Sequence, residues 1–315
     1  MATARKLIKL GKSSLAVTLP RRWVESLGLK EGDLVLVDEH DDYLMILVAD
    51  RRREEGRSAH VRAGRGEEDS LARMIIALYQ AGYDVIRIST PEGRVSALRE
   101  SLRRTLSRLI GLEVVEEGAD YIVLQMVTDA AAMSAERVLN RMEILVLNSL
   151  KDLDLYARSG DTSILADILE RDEEIDKFYF LLSRQVSLAL RNPAYLKQMG
   201  VEDRPLLLPI FNYGKTLERI GDVLVGLARA AAHARLESEA VETARRAVEA
   251  GIRAFHLGDE NSKRNIVSLY TEYFSSPRYS LVEHLIGNIV SLALDMLESR
   301  VELEVLQSGQ QRSSR

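Results

Sequence analysis

The sequence predicts a multidomain protein: a small β-rich domain, then a small α/β spacer domain, then an all-α domain of two three-helix bundles. Three observations predict this order. Short apolar runs fill residues 1–50, strand and helix patterns alternate over residues 51–128, and long helical periodicity fills residues 129–307. Residues 308–315 are polar, and we expect them to be a disordered tail.

The composition excludes several kinds of chemistry. The chain has no cysteine, so disulfides, thiolate metal sites and cysteine nucleophiles are excluded. No apolar run approaches the roughly 18–20 residues that cross a bilayer, and the amino terminus lacks the hydrophobic region of a signal peptide. We therefore expect a cytoplasmic protein without membrane insertion.

Positive charge is concentrated at the amino-terminal end. Residues 1–30 carry seven basic residues and one acidic residue, a net charge of +6, so the rest of the chain carries −11 of the overall −5. A basic end on an acidic protein indicates that this end meets a polyanion.

The first domain is expected to contain four strands and one short helix. Pro20 suits the first turn of that helix and Gly28 its end. A unit of this size rarely buries a core alone, and without cysteine a second copy is the expected partner. The predicted strands are residues 6–10, 15–19, 34–37 and 43–48, with a polar turn at 38–42.

Four segments of this domain have a recognisable order and spacing. They are Leu10-Gly11-Lys12, Leu19-Pro20-Arg21-Arg22, Leu27-Gly28-Leu29 and Glu31-Gly32-Asp33. The pattern, which runs from Arg5 to about Val48, resembles the AbrB/MazE/SpoVT family. The resemblance implies a swapped-hairpin homodimer that binds DNA, and in some members this domain also binds a toxin.

Basic side chains of this domain are the candidate DNA contacts. A dimer brings two sets of them together, and neutralised phosphates supply most non-specific affinity. Arginine also makes forked contacts to phosphate or guanine. The alternative is that they are ordinary surface charges. The candidates are Arg5, Lys9, Lys12, Arg21 and Arg22.

Residues 51–128 are predicted to form a charged linker, at 51–57, followed by a small α/β domain. The domain lacks a complete glycine-rich phosphate loop, a nucleophile elbow and a histidine cluster, so a spacer or sensor role is expected. Its predicted elements are strands at 59–63, 83–89, 112–117 and 121–127 and helices at 69–80 and 94–110.

The third domain, residues 129–307, is predicted to be helical throughout. Aligning its third helix with its sixth superimposes Ile220-Gly221 on Ile286-Gly287, which supports an internal repeat of three helices. The predicted helices are residues 133–158, 161–190, 203–235, 238–257, 260–274 and 280–306.

Two pairs of carboxylates lie on the second and third of these helices. Asp172 and Asp176 fall inside an apolar stripe, whereas Glu218 and Asp222 lie at the border of theirs. A carboxylate facing a core is neutralised by a proton, a cationic partner or a metal. Four acids on two packed helices would suit a cation that prefers oxygen ligands. Acidic pairs of this spacing are also common on solvated faces.

The run Leu217-Glu218-Arg219-Ile220-Gly221-Asp222 resembles the signature of the PhoU family. Its members are phosphate-signalling proteins of two three-helix repeats, with metal-binding motifs of the form Glu/Asp-x-x-x-Asp. The resemblance implies a divalent or trivalent metal ion bound by Asp172, Asp176, Glu218 and Asp222.

The second repeat lacks this acidic pattern. His284 and Asn288 stand where the first repeat has Glu218 and Asp222, and the nearest counterpart of the other pair is residues 259–263. We therefore expect one good metal site and at most a weak one in the second repeat, because neutral Asn and His neutralise the charge of a cation poorly. No histidine has a glutamate three residues before it, as the di-iron enzymes of helical bundles require, so an enzyme is not expected.

Together these features lead us to expect a dimeric DNA-binding regulator. Similar fusions among archaeal phosphate-uptake regulators imply a role in phosphate homeostasis, and PhoU proteins communicate with phosphate transporter components. The alternative is an adaptor that binds a transporter or a toxin-like protein without binding DNA.

Overall fold

The computed structural model describes residues 4–39, 43–48, 56–64, 66–90, 95–128 and 133–313. The chain divides into two units, Met1–Glu54 and Glu55–Arg315. The predicted linker at 51–57 and the predicted turn at 38–42 lie largely outside the described residues.

The amino-terminal unit contains the four strands and the short helix expected from the sequence. The first and second strands pair antiparallel, as do the third and fourth. Pro20 is the residue before the helix, and Gly28 follows its end with a φ of 63°, a conformation that glycine adopts without strain. The elements are β1 (Ile8–Leu10), β2 (Ser14–Ala16), α1 (Arg21–Ser26), β3 (Val35–Glu39) and β4 (Leu44–Val48).

The predicted α/β domain is confirmed as a four-stranded sheet with two helices. Its strand order is β5-β6-β8-β7, and the β5–β6 pair is parallel while the other two pairs are antiparallel. In β6, Ile86 and Ile88 are buried and Arg87 between them is exposed, because strand residues alternate between faces. The elements are β5 (Ser58–Arg62), α2 (Glu68–Gln80), β6 (Val85–Ser89), α3 (Val95–Ser107), β7 (Leu112–Glu117) and β8 (Tyr121–Met126).

Residues 133–313 are mainly helical, as predicted, and form two groups of three long helices. Helices α4, α5 and α7 pack together, as do α8, α9 and α10, and the groups meet where α7 contacts α10 and α4 contacts α8. None of the described helices has both the length and the apolar character needed to span a membrane. The helices are α4 (Ala135–Ser159), α5 (Ser163–Ala189), α6 (Pro193–Gln198), α7 (Leu207–Ala231), α8 (Ser238–Leu257), α9 (Glu260–Phe274) and α10 (Leu281–Ser313).

Two local features differ from the sequence prediction. The short α6 was not expected. It forms because the Asn192 side chain caps the helix by accepting a hydrogen bond from the Ala194 N–H, and because Pro193 is favoured at the first helical position. Helix α10 continues to Ser313, so the predicted disordered tail at 308–315 is helical over its described part. A capping box opens α10: the Glu283 side chain accepts from the Ser280 N–H, and the Ser280 hydroxyl accepts from the Glu283 N–H.

The two groups of three helices, which the sequence predicts to be a repeat, also share one contact between helices. A Cβ added at Gly221 on α7 would meet Asp172 and Ile175 of α5, and one added at Gly287 on α10 would meet Tyr273 of α9. In each group, therefore, the aligned glycine faces the second helix. The side chain that faces the glycine differs between the repeats: it is the carboxylate of Asp172 in the first and the ring of Tyr273 in the second.

The α/β domain lies on α5, and a buried arginine fixes it there. Arg184 Nη1 donates to the carbonyl oxygens of Tyr79 and Tyr83, at 2.9 and 2.6 Å, and its Nη2 donates to Asp84 Oδ1 at 2.5 Å. Only 1% of Arg184 is exposed. Because α2 also packs against α5, the α/β and helical domains share one hydrophobic core.

A second buried polar group joins the two helical repeats. Glu143 on α4 accepts hydrogen bonds from the Tyr213 hydroxyl of α7 at 2.6 Å and from His256 Nε2 of α8 at 2.7 Å. The Tyr213 ring stacks on Phe255. The bond to Glu143 raises the pKa of His256, partly opposed by burial, while Glu136 raises it further and Arg300 lowers it.

We predict that His256 makes stability depend on pH. Its folded pKa lies above the ordinary 6.5, so its contribution is complete below that pH and is lost as pH rises through the folded value. Urea unfolding from about pH 6 to about pH 9 should therefore show a larger fall in the free energy of unfolding for the wild type than for His256→Gln. Parallel curves for the two proteins would contradict the assignment.

Candidate functional site

The amino-terminal unit exposes apolar surface that a single copy does not cover. Among residues 4–37, 39 and 43–48, for which burial is described, none is buried. Its strands form two separate two-stranded sheets, and such hairpins are marginally stable alone. The large apolar side chains that are exposed here are Leu7, Ile8, Leu10, Leu15, Val17, Leu34, Leu36, Val37, Tyr43 and Leu44.

All five predicted DNA contacts lie on this unit, and all are exposed. Lys9 is in β1, Lys12 is in the turn that follows, and Arg21 and Arg22 begin α1, while Arg5 precedes β1. Arg21 Nε donates to Glu25 Oε1 at 2.7 Å. A pair this exposed contributes little free energy, so Arg21 can exchange Glu25 for another anion.

The four predicted metal ligands lie where α5 packs against α7. Glu218 is buried, Asp172 and Asp176 are half-buried, and Asp222 is exposed. The expectation that both aspartates of α5 face the core is therefore met only in part. Leu169, which precedes Asp172 by three residues on the same apolar stripe, is 39% exposed, so the stripe is not buried along its whole length.

Cationic side chains of this chain neutralise two of the four acids. Asp176 pairs with Arg108, which lies in the turn after α3 of the α/β domain. Glu218 accepts from Lys215 Nζ at 2.6 and 2.7 Å, one turn earlier on α7. By contrast, Asp172 Oδ1 is buried and has no hydrogen-bond partner among the described residues.

The negative charges of neighbouring acids in this group also raise the pKa values of Asp172, Asp176 and Glu218. Burial, followed by the charges of Asp176, Asp222 and Glu218, raises the pKa of Asp172 to about 7. Burial raises the pKa of Asp176 against the opposing effect of Arg108, and it raises the pKa of Glu218 against that of Lys215. We call Asp172, Asp176, Glu218 and Asp222 the acidic cluster.

The donor chemistry of the acidic cluster suits a metal ion better than its arrangement does. Carboxylate oxygens are ligands that hard cations prefer, and Asp172 offers an unpaired one. However, no group of three or more His, Asp or Glu side chains in the described part of the chain is placed to hold a metal ion. Arg108 and Lys215 would have to move for the four acids to share one.

The second repeat places its counterparts differently. Asp259 accepts hydrogen bonds from the backbone N–H groups of Asn261 and Ser262, both at 3.0 Å, and so caps α9. His284 is exposed. The cap explains this aspartate without a ligand.

Comparison with protein families identifies two segments of the chain. Residues 8–55 match the family model described as antidote-toxin recognition MazE, bacterial antitoxin, and residues 139–231 match the PhoU domain. The chain joins a MazE/AbrB-type amino-terminal domain to a PhoU domain. Both are regulatory or antitoxin-like families without catalysis. No curated protein and no solved structure matches the chain.

The PhoU match covers α4, α5 and α7, which carry the acidic cluster. Arg108 and Lys215, the cationic side chains that pair with Asp176 and Glu218, were not identified from the sequence. Lys215 had a usable signal, since it stands three residues before Glu218 and so shares its helix face. Arg108 had none, because 68 residues separate it from Asp176.

We predict opposite effects of alanine at two glycines of α7. An added Cβ at Gly221 would lie 2.8 Å from Asp172 Oδ1 and 3.1 Å from Ile175 Cδ1, whereas at Gly226 the nearest atom is at 3.5 Å. Gly226→Ala should stabilise the protein by up to about 1 kcal/mol through helix propensity. Gly221→Ala should destabilise it by about 1–2 kcal/mol through crowding. Urea midpoints measure both, and equal shifts would contradict the close contact.

Proposed function

We propose that this protein is a cytoplasmic, homodimeric DNA-binding transcription regulator of phosphate uptake. The observation that carries the proposal is the joining of two domains in one chain: a MazE-type domain with exposed basic residues, and a PhoU domain. The first supplies a surface for DNA, and the second supplies the link to phosphate homeostasis that the PhoU resemblance implies.

Dimerisation is proposed through the amino-terminal domain. Its exposed apolar side chains, and the fact that its described strands form only two-stranded sheets, support a second copy as the partner. The two copies would place ten candidate basic residues on one dimer, five from each chain. Multiple phosphate contacts of this kind release counterions and favour DNA binding.

A divalent or trivalent metal ion is the proposed cofactor of the PhoU domain. Asp172, Asp176, Glu218 and Asp222 would hold it, and it would neutralise charge that Arg108 and Lys215 only partly offset. The unpaired Asp172 oxygen supports this assignment. Phosphate transporter components are the proposed partners through which this domain would sense phosphate supply.

A second candidate is an adaptor that binds a toxin-like protein or a transporter without regulating transcription. The antidote-toxin description of the matched amino-terminal family favours it. The exposed apolar side chains could meet such a partner as well as a second copy.

We predict salt-dependent binding of the full-length protein to the DNA upstream of its own gene. Arg21→Ala with Arg22→Ala should weaken binding at least about tenfold, and each lost phosphate contact should reduce the slope of log affinity against log salt by about 0.9. Fluorescence anisotropy over a salt series measures both quantities. Arg103→Ala with Arg104→Ala is the matched control, because these exposed arginines lie on α3, outside the amino-terminal unit.

Light scattering on the same samples should give a dimer. A double variant of Arg21 and Arg22 that binds as tightly as the wild type, or a wild type that binds no DNA, would favour the adaptor.

A further inference from the structure

Arg108 is a basic side chain of the α/β domain that contacts an acid of the PhoU domain. It pairs with Asp176, and its guanidinium carbon lies 5.2 Å from the centroid of the Phe180 ring. Both partners are on α5, four residues apart, and therefore adjacent on the helix surface. One side chain thus connects the turn between α3 and β7 to the acidic cluster.

The contact leaves polar atoms unpaired on both sides. Arg108 Nε is buried without a hydrogen-bond partner among the described residues, and so is Asp172 Oδ1. An unsatisfied buried donor or acceptor is unfavourable, because it has lost its hydrogen bonds to water without gaining one in the protein. The pairing of Arg108 with Asp176 is therefore incomplete, and a ligand that satisfied Asp172 could compete with it.

Arg108 and a metal ion cannot both bind next to Asp176, because both are positively charged. Both would require the Asp176 carboxylate, and two cations a few ångströms apart repel strongly where water is scarce. Lys215 differs, because it pairs with Glu218 on its own helix and is 42% exposed, so it can turn to solvent without moving another element.

We propose that Arg108 occupies the cation site of the acidic cluster, and that a divalent cation binding there releases Arg108 together with the turn between α3 and β7. The inference rests on the proposed metal role of the PhoU domain. It gives the α/β domain a function, since the metal state of the cluster then changes the structure of that turn.

The rest of the α/β domain has a separate attachment. Arg184 holds the turn between α2 and β6, and it lies eight residues beyond Asp176, about 12 Å further along α5. Release of Arg108 would therefore loosen one corner of the domain while the other stays bound. This separation supplies an internal control for the experiment.

The first test is a Mn²⁺ titration of the full-length protein, with affinity measured by calorimetry. Arg108→Met keeps the length of the side chain and removes its charge, so it should tighten Mn²⁺ binding about tenfold or more. Arg104→Met is the matched control: it removes one positive charge from α3, where Arg104 forms an exposed pair with Glu100, and it should change affinity less than twofold. Equal tightening by both variants would reduce the effect to general charge and overturn the proposal.

The second test uses the wild type, and so does not depend on the folding of a variant. The Arg108 and Leu109 amides donate to the carbonyl oxygens of Thr105 and Leu106, and Mn²⁺ should speed their hydrogen exchange. The Gly82 and Tyr83 amides, beside Arg184, should exchange as before. Unchanged or slower exchange of Arg108 and Leu109 when Mn²⁺ is bound would overturn the proposal.

The variant Asp172→Asn with Asp222→Asn separates this inference from the proposed function. If Mn²⁺ binds the wild type and this variant loses it, but Arg108→Met binds no tighter, then only the role of Arg108 is overturned. If neither the wild type nor Arg108→Met binds Mn²⁺, both proposals are overturned.

Discussion

The attachment of the α/β domain to α5 depends on one buried guanidinium. Arg184 lies inside the contact between the α/β domain and α5, where an unpaired charge would cost several kilocalories per mole. Asp84 and the carbonyl oxygens of Tyr79 and Tyr83 offset that cost. Since these carbonyls belong to the end and the following turn of α2, the cation also interacts favourably with the dipole of that helix.

The position of Arg184 affects which other part of the α/β domain contacts α5. With the turn after α2 fixed at Arg184, the turn after α3 reaches Asp176, and Arg108 comes to lie beside the acidic cluster. Glu143, Tyr213 and His256 join the two helical repeats in a similar way. The domain contacts are thus specified by a few buried polar groups within an apolar core.

Much of the fold followed from periodicity. Helices α8 and α9 begin and end at the residues predicted, because their apolar stripes are regular and Gly258 and Asp259 mark the boundary between them. The short α6 was missed, since six residues are too few to show a helical period. The contacts of Arg108 and Arg184 could not be predicted, because they join elements about 70 to 100 residues apart and no local pattern encodes such pairs.

The acidic cluster was only partly predictable for the same reason. Spacing placed each pair of acids on its helix, but the burial of each depends on how α5 and α7 approach one another. Gly221 sets this approach by letting Asp172 lie against the α7 backbone, and Asp222, one residue further on, remains exposed. Sequence spacing also gave no indication that Arg108 would pair with Asp176.

The free energy of unfolding of Arg184→Met measures how much the buried guanidinium contributes to holding the α/β domain on α5. The substitution keeps the side-chain volume but removes the charged partner of Asp84 and a donor to two carbonyl oxygens. We expect a loss of about 3 kcal/mol. Arg191→Met, which removes an exposed donor to the Ala81 carbonyl oxygen, should cost less than about 1 kcal/mol. Equal urea midpoints for the two variants would contradict the claim that Arg184 holds the α/β domain on α5.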